Sequence, residues 1–376
     1  MRRMGRLLLG LALLGGAGNA LADYTLNMTQ GVTEVSRDIY DMHMLVLWIC
    51  IVVGIGVFGV IIYSLIKHRK SKGAQAASFH ENTTIEVIWT AIPLIVLVAI
   101  AVPATKTLLA IEDTTNSDLS IKVTGLQWKW KYDYLDEGIS FISALDAKSN
   151  EARARNSGID PSSVENYLLN VDKPIVIPIK KKVRFLLTSQ DVIHAWWVPD
   201  LAVKRDAIPG YINESWTRVE EPGVYRGQCA ELCGKDHGFM PIVVKAVTQP
   251  EYDQWVANQK MAMAEAEASS AKTLSLGELM SKGEGLYNQY CASCHMANGA
   301  GIPGVFPGLV NSKIVTGPVA DHLDIVIHGS KTNPAMAAFG LQLNDIDLAA
   351  IITYERNAWG NDTGDAVQAS DVKAAR

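Results

Sequence analysis

The chain has 376 residues, of which 48% are hydrophobic and only 19% charged, so it is more apolar than an ordinary soluble protein. This composition excludes disorder and argues against a wholly cytosolic enzyme, while the length indicates two or three folded units. The 34 basic and 39 acidic residues give a net charge of −5, without the basic excess typical of nucleic-acid-binding proteins.

Residues 1–22 have the three parts of a secretory signal peptide. A basic start is followed by an apolar run from Leu7 to about Gly16 and by an Ala-x-Ala sequence ending at Ala22. Cleavage there would leave Asp23 as the first residue. A membrane anchor is the alternative, but the apolar run is shorter than the roughly 20 residues that cross a bilayer.

Two uncharged stretches, residues 44–66 and 87–105, are each long enough to span a membrane as a helix. The segment 67–72 between them is strongly basic, which places this connection in the cytoplasm and both flanking segments outside. The alternative, a buried hairpin in a soluble protein, is disfavoured by this charge asymmetry. We therefore predict a transmembrane hairpin over residues 23–110.

Three further segments follow the hairpin. Residues 118–250 contain short stretches rich in β-branched and aromatic residues, which predict an all-β sandwich or Greek-key barrel with a loop or insertion at 146–161. Residues 251–272 suit a helical or flexible linker. Residues 273–362 have helical texture around a Gly/Pro-rich middle, and residues 363–376 are expected to be a loose tail.

The sequence Cys291-Ala-Ser-Cys294-His295 is a c-type haem attachment motif. Two thiols add to the haem vinyl groups, and the adjacent histidine is held against the iron. A zinc half-site or a dithiol redox motif is the alternative, which the lack of a second ligand pair disfavours.

A haem that carries electrons usually has a second axial ligand, and methionine raises its potential. Met336 lies in a loop between two predicted helices and is the preferred candidate, with His322 and His328 as rivals. The helix that enters Cys291, the turn at 307–309 and the Met336 loop resemble those of class I cytochrome c domains. The resemblance implies an all-α domain with one covalent haem c.

A second cluster of metal-binding residues lies in the segment 229–240, which carries Cys229, Cys233, His237 and Met240. His194 offers another imidazole from a distant strand. Thiolates, imidazoles and a weak methionine ligand suit copper in electron transfer, and this set is large enough for two metals bridged by both sulfurs. A disulfide or a zinc site is the alternative interpretation.

The pattern His194…Cys229-x-Glu231-x-Cys233-x-x-x-His237-x-x-Met240 resembles the dinuclear copper centre (CuA) of cytochrome c oxidase subunit II. The aromatic stretch 127–134, the segment 206–210 and the two-helix hairpin extend this resemblance over residues 30–260. With the added cytochrome, the chain resembles the cytochrome-c-fused subclass. The implied fold is a two-helix transmembrane hairpin, a cupredoxin-like Greek-key domain and an all-α cytochrome c domain.

The resemblance also implies roles for individual residues. It assigns copper ligation to His194, Cys229, Cys233, His237, Met240 and the backbone carbonyl of Glu231. The Glu231 side chain would bind a magnesium or manganese ion shared with subunit I. Trp128 matches the electron-entry tryptophan. Glu86 matches a carboxylate near the mouth of a proton channel, with a solvated helix-end residue as its alternative interpretation. Tyr211 departs from the family, which often has arginine there.

The implied function is that of subunit II of a haem–copper terminal oxidase. It would relay electrons from a periplasmic cytochrome c or other donor, through haem c and CuA, to subunit I, where O2 is reduced to water with proton pumping. The predicted spans contain no histidine for a haem–copper pocket, so oxygen chemistry is assigned to that partner. Subunit III is a further expected partner, and the bacterial inner membrane is the expected location, with both redox domains in the periplasm.

Two other functions stay open at this point. One is the electron-entry subunit of a CuA-containing nitric oxide reductase, because the residues that separate it lie in the partner. The other is a membrane-tethered copper-delivery or redox-sensing protein, which predicts a single labile copper ion and no need for haem. A quinol oxidase subunit is disfavoured because the copper ligands are all present.

Overall fold

The computed structural model describes residues 27–376, except residues 76, 77, 79, 155, 156, 271, 334, 335 and 341. The predicted signal peptide, residues 1–22, therefore lies outside the described residues. Residues up to Tyr252 form one compact unit, and residues from Asp253 onward form a second.

The first unit begins with two long helices, α1 (Glu34–Lys67) and α2 (Thr83–Glu112). Each is long and apolar enough to cross a membrane, and neither buries its apolar stretch inside the protein. Both begin before the predicted spans because polar residues outside those stretches cap their N-terminal ends. Thr33 and Ser36 form a capping box at α1, and the Asn82 side chain caps α2.

Polar contacts join the outer ends of both helices to the strands that follow. Arg205 donates to Glu112 at 2.7 Å, and the indole of Trp216 donates to the carbonyl of Ala110 at 3.0 Å. Arg218 reaches Glu34 at the start of α1, at 2.7 Å. The hairpin is thus tied to the β domain at both of its outer ends.

The β domain is a sandwich of two five-stranded sheets, ordered β3-β2-β1-β5-β8 and β4-β10-β9-β6-β7. Its strands are β1 (Leu119–Leu126), β2 (Lys129–Tyr134), β3 (Ile139–Ser143), β4 (Ile175–Pro178), β5 (Val183–Ser189), β6 (His194–Val198), β7 (Val203–Ala207), β8 (Asn213–Thr217), β9 (Gly223–Cys229) and β10 (Pro241–Val247). Alternate residues of β1 and β5, such as Ile121 and Phe185, are fully buried between the sheets.

The segment expected to be a loop at 146–161 contains a short helix, α3 (Ala147–Ala152). Asp146 caps it by accepting a hydrogen bond from the Ser149 amide at 3.1 Å. A single capped turn has little periodicity, which explains why the sequence pattern did not indicate it.

The last strand leads into α4 (Gln249–Ser270). The remaining helices are α5 (Leu276–Tyr290), α6 (Ala292–His295), α7 (Val319–His328), α8 (Asp345–Asn357) and α9 (Ala369–Ala375). Helices α5 and α8 cross at Gly283, where a Cβ atom would lie 2.1 Å from the Ala350 carbonyl oxygen, so only glycine permits this approach.

The end of the chain differs from the expected loose tail. Residues 369–375 form α9, and Val372 is completely buried against the core of the helical domain. The Gln368 side chain also binds the backbone of Leu274. Apart from this correction, the architecture confirms the predicted fold class of a helical hairpin, a β-sandwich and a helical domain.

Candidate functional site

The five predicted copper ligands lie at one end of the second sheet. His194 is the first residue of β6, and Cys229 is the last residue of the neighbouring strand β9. Cys233 and His237 follow in the copper-binding loop, defined here as residues 229–240, and Met240 directly precedes β10. Three adjacent strands therefore deliver ligands that are up to 46 residues apart in the sequence to the same edge.

The distances between the donor atoms are short. The two sulfurs, Cys229 Sγ and Cys233 Sγ, are 3.8 Å apart. His194 Nδ1 lies 4.0 Å from Cys229 Sγ, and His237 Nδ1 lies 3.5 Å from Cys233 Sγ. The thioether sulfur of Met240 is 3.5 Å from Cys233 Sγ. Each thiol thus has its own imidazole, in an arrangement suited to a pair of metal ions.

This donor set fits dinuclear copper and disfavours the other interpretations. The cysteines are free, and a disulfide would need its sulfurs about 2.05 Å apart. Two thiols, two imidazoles and a thioether also exceed the four ligands of structural zinc, which does not use methionine. The sulfurs and His194 are buried, so the site is shielded from water.

The two thiols differ in their readiness to lose a proton. Burial raises the pKa of Cys229, but the hydrogen bond and charge of His194, together with hydrogen bonds to the backbone of Glu231 and Ala195, outweigh burial and lower this pKa to about 7. Burial and the nearby charge on Cys229 raise the pKa of Cys233 to about 12. The thiolate of Cys229 therefore forms readily. Cys233 loses its proton only when a cation takes the place of that proton, and a bound metal ion would provide this cation.

Asp191 orients the imidazole of His194, a role that the sequence pattern did not indicate. His194 Nε2 donates to its carboxylate at 2.8 Å, which turns Nδ1 toward Cys229. The Gln127 amide donates to the same carboxylate at 2.6 Å. Burial raises the pKa of Asp191, but hydrogen bonds from His194 and from the backbone amides of Val192 and Gln127 together outweigh it and lower this pKa. Burial lowers the pKa of His194, but the hydrogen bonds and charges of Asp191 and Cys229 together raise it. In the sequence, the feature that could have indicated this role is the position of Asp191 three residues before the ligand His194.

Two tryptophans at the β1–β2 connection and in β2, on the first sheet, donate hydrogen bonds to the backbone of the copper-binding loop. The indole of Trp128, the predicted electron-entry residue, is half-buried and donates to the carbonyl of Cys233 at 3.2 Å. Trp130 donates to the carbonyl of Met240 at 3.3 Å and packs edge-on against His194. The carbonyl oxygen of Glu231 is 3.3 Å from Cys229 Sγ, while the rest of that residue is exposed.

The haem attachment motif lies at the junction of α5 and α6. Cys291 and Cys294 are not joined in a disulfide, and both are half-buried. His295 Nδ1 donates to the carbonyl of Pro307 at 2.8 Å, which leaves Nε2 as the atom for an axial bond. An open cavity of about 450 Å³, lined by Ala300 and residues 303–308, lies beside this turn. The two thiols, the oriented imidazole and the open space beside them fit a covalent haem.

Met336 packs against the same hydrophobic cluster as Cys291. Its two rivals have other partners among the described residues. His322 is buried with Nε2 2.8 Å from a carboxylate oxygen of Glu355, and the exposed His328 lies 3.1 Å from Asp324. These contacts favour Met336 as the second axial ligand.

Glu86 lies in the first turn of α2, apart from both redox sites in the chain. Its carboxylate accepts a hydrogen bond from the backbone amide of Asn82 at 3.2 Å, as a helix-capping residue does. The proton-channel role of Glu86 stays a prediction.

Three family models match successive parts of the chain. Residues 22–107 match the transmembrane domain of cytochrome c oxidase subunit II, and residues 119–247 match its periplasmic domain. Residues 278–354 match a family described as cytochrome c oxidase, cbb3-type, subunit III.

Individual relatives agree with these matches. A probable cytochrome c oxidase subunit 2 of Rickettsia bellii is 42% identical over 63% of this chain and 85% of its own length. Cytochrome c oxidase subunit 2 of Arabidopsis thaliana is 35% identical over 64% and 92%, respectively. The periplasmic domain of subunit II (CoxB) of Bradyrhizobium japonicum, solved as a crystal structure, is 40% identical over 40% of this chain and 98% of its own, with a TM-score of 0.34. The family models and the two subunit 2 relatives show that the chain belongs to the cytochrome c oxidase subunit II family and carries a C-terminal cytochrome c domain.

Proposed function

We propose that this membrane protein is the electron-entry subunit of a haem–copper oxidase and that the residues described above hold its copper and haem. One observation carries the proposal: two thiols, two imidazoles and a thioether converge with neighbouring donor atoms 3.5–4.0 Å apart. Family membership supplies the partner, subunit I, in which oxygen is reduced.

His194, Cys229, Cys233, His237, Met240 and the carbonyl of Glu231 would hold the copper pair. When bound, copper and haem c supply reversible one-electron transfer. The protein keeps the site rigid and dry, because the ligands on β6 and β9 are fixed by the sheet and covered by tryptophans. Rigid ligands reduce the rearrangement that accompanies each change of charge.

Cys291 and Cys294 would hold haem through thioether bonds, and His295 and Met336 would be the ligands of its iron. The Pro307 carbonyl supports this role of His295 because it fixes the ring orientation. Trp128 is proposed as the entry residue for electrons, since its half-buried indole is hydrogen-bonded directly to the copper-binding loop.

Further assignments extend the proposal to the assembled complex. The exposed Glu231 side chain is free to reach a magnesium or manganese ion shared with subunit I. Glu86, at the first turn of α2, would lie near a proton-channel mouth on the cytoplasmic side. The basic connection between the helices and the signal peptide support a bacterial inner-membrane location, with both redox domains in the periplasm. Subunit III and a periplasmic cytochrome c or other donor complete the proposed partners.

The test is to purify the intact complex and count copper, haem c and haem a, while measuring uptake of oxygen and of nitric oxide with reduced cytochrome c. We expect two copper ions in this subunit, one haem c, and consumption of oxygen. A single labile copper ion, or zinc at the thiols, would refute the copper assignment. Uptake of nitric oxide in place of oxygen would instead show a nitric oxide reductase.

A further inference from the structure

The insertion between β3 and β4 contacts the copper-binding loop through the side chain of Arg153. Its guanidinium lies 3.2 and 3.3 Å from the two carboxylate oxygens of Asp236. The same group stacks on Phe239, with Cζ 4.3 Å from the ring centroid. One residue outside the loop therefore makes a two-pronged ion pair and a cation–π contact within it.

Both partners of Arg153 are direct neighbours of proposed copper ligands. Asp236 precedes His237, and Phe239 precedes Met240. The amide of Phe239 donates to the carbonyl of Asp236 at 2.9 Å, which closes a three-residue 3₁₀ turn. Such a turn has little stability of its own, so contacts at its two ends decide its position.

The ligands differ in how the fold restrains them. His194 and Cys229 lie on hydrogen-bonded strands, whereas His237 lies in the 3₁₀ turn between strands. A contact on that turn from outside the sheet supplies a restraint that strand pairing does not.

The insertion is anchored well enough to provide this restraint. Ser149 of α3 is fully buried, and its hydroxyl accepts a hydrogen bond from the Leu168 amide at 3.2 Å. Arg153 is held by Asn150, which accepts from Nε at 2.8 Å. The ion pair with Asp236 is only 20–28% exposed, so water screens it less than a surface pair.

We propose that Arg153 is a positioning residue for the copper centre, which fixes the turn carrying His237 and the approach to Met240. This inference rests on the proposed assignment of these two residues as copper ligands. It makes the insertion part of the electron-transfer apparatus, because the insertion determines how two of the proposed ligands are presented.

The test uses full-length chain in the assembled oxidase, with Arg153→Gln, Arg153→Lys and Asp236→Asn as variants. Lys148→Gln is the matched control, because it makes the same charge change at an exposed position of α3. Three quantities are measured: the rate of copper loss to a chelator, the copper hyperfine pattern in electron paramagnetic resonance, and hydrogen exchange of amides 237–240 in the reduced, copper-free chain.

For Arg153→Gln we expect copper loss to be about tenfold faster, with an altered hyperfine pattern and faster exchange of the loop amides. Arg153→Lys should show smaller changes than Arg153→Gln in all three measurements, because lysine keeps the positive charge but cannot make the two-pronged contact. The double variant Arg153→Gln/Asp236→Asn should be no worse than Arg153→Gln alone, since both substitutions remove the same ion pair and Arg153→Gln already removes the stacking on Phe239.

The proposal is overturned if Arg153→Gln matches Lys148→Gln in all three measurements, or if its effect adds fully to that of Asp236→Asn. Should Arg153→Gln fail to assemble, Arg153→Lys and Asp236→Asn provide the same comparison. Wild-type chain without a two-copper centre would refute the proposed function, whereas exchange in the copper-free chain tests the role of Arg153 separately.

Discussion

Gly125 provides a direct test of how the first sheet positions a copper ligand. It lies in β1, and a Cβ atom at this position would be 2.6 Å from Cδ2 and 2.9 Å from Cγ of the His194 ring. The shorter distance is 0.8 Å inside the 3.4 Å at which ordinary van der Waals contact begins. Because His194 is completely buried, the ring cannot move into solvent to relieve the clash.

We therefore expect Gly125→Ala to displace the imidazole and to destabilise the copper-free domain by about 1–3 kcal/mol, the usual cost of overpacking a core. The displaced ring would weaken its 2.8 Å hydrogen bond to Asp191 and misdirect Nδ1. Copper content and the near-infrared band should fall as a result, while the haem spectrum stays normal.

The assay combines chemical denaturation of the reduced, copper-free full-length chain with copper analysis of the purified complex. Gly238→Ala is the control for stability, because no atom lies within 4 Å of the Cβ it would add. Its unfolding free energy should change by less than about 0.5 kcal/mol. Normal stability and a normal copper band in Gly125→Ala would refute the reasoning, since they would mean that His194 does not occupy this position.

Cys229→Ser should abolish the near-infrared copper band and leave the haem spectrum intact, because it removes one of the two cysteine sulfurs. An unchanged band would contradict the role of Cys229 as a copper ligand. Met336→Ala should perturb the haem absorption spectrum and leave copper content unchanged, and a normal haem spectrum would point to another axial ligand. The hydrogen bond from Arg356, aided by Thr363, lowers the pKa of Asp365. The ionised Asp365 carboxylate therefore stabilises the folded domain at pH values above its unfolded-state pKa of about 4. This stabilisation is lost as the pH falls through the lower pKa that Asp365 has in the folded state. Asp365→Asn should reduce this acid dependence of haem-domain unfolding, measured by urea denaturation between about pH 5 and about pH 2; an unchanged pH profile would show that the ion pair contributes nothing.

The sequence alone indicated which residue types are available to bind metal and haem, and it determined the order of the helical hairpin, the β domain and the helical domain along the chain. Ligand types and their spacing in residues 229–240 and 291–295 are local properties, so they could be interpreted without a structure. The same holds for the two apolar spans, because membrane insertion depends on length and charge within a single segment. The all-β character of residues 118–250 was similarly evident from short alternating segments.

Only the tertiary structure decided how the ligands are held. Gly125 touches His194 because β1 and β6 face each other across the sandwich, and Arg153 reaches Asp236 across 83 residues of sequence. The C-terminal helix α9 also depends on tertiary structure, because Val372 is buried against residues that other helices supply. Such contacts depend on strand register and packing between distant segments, and no local pattern of residue types encodes them.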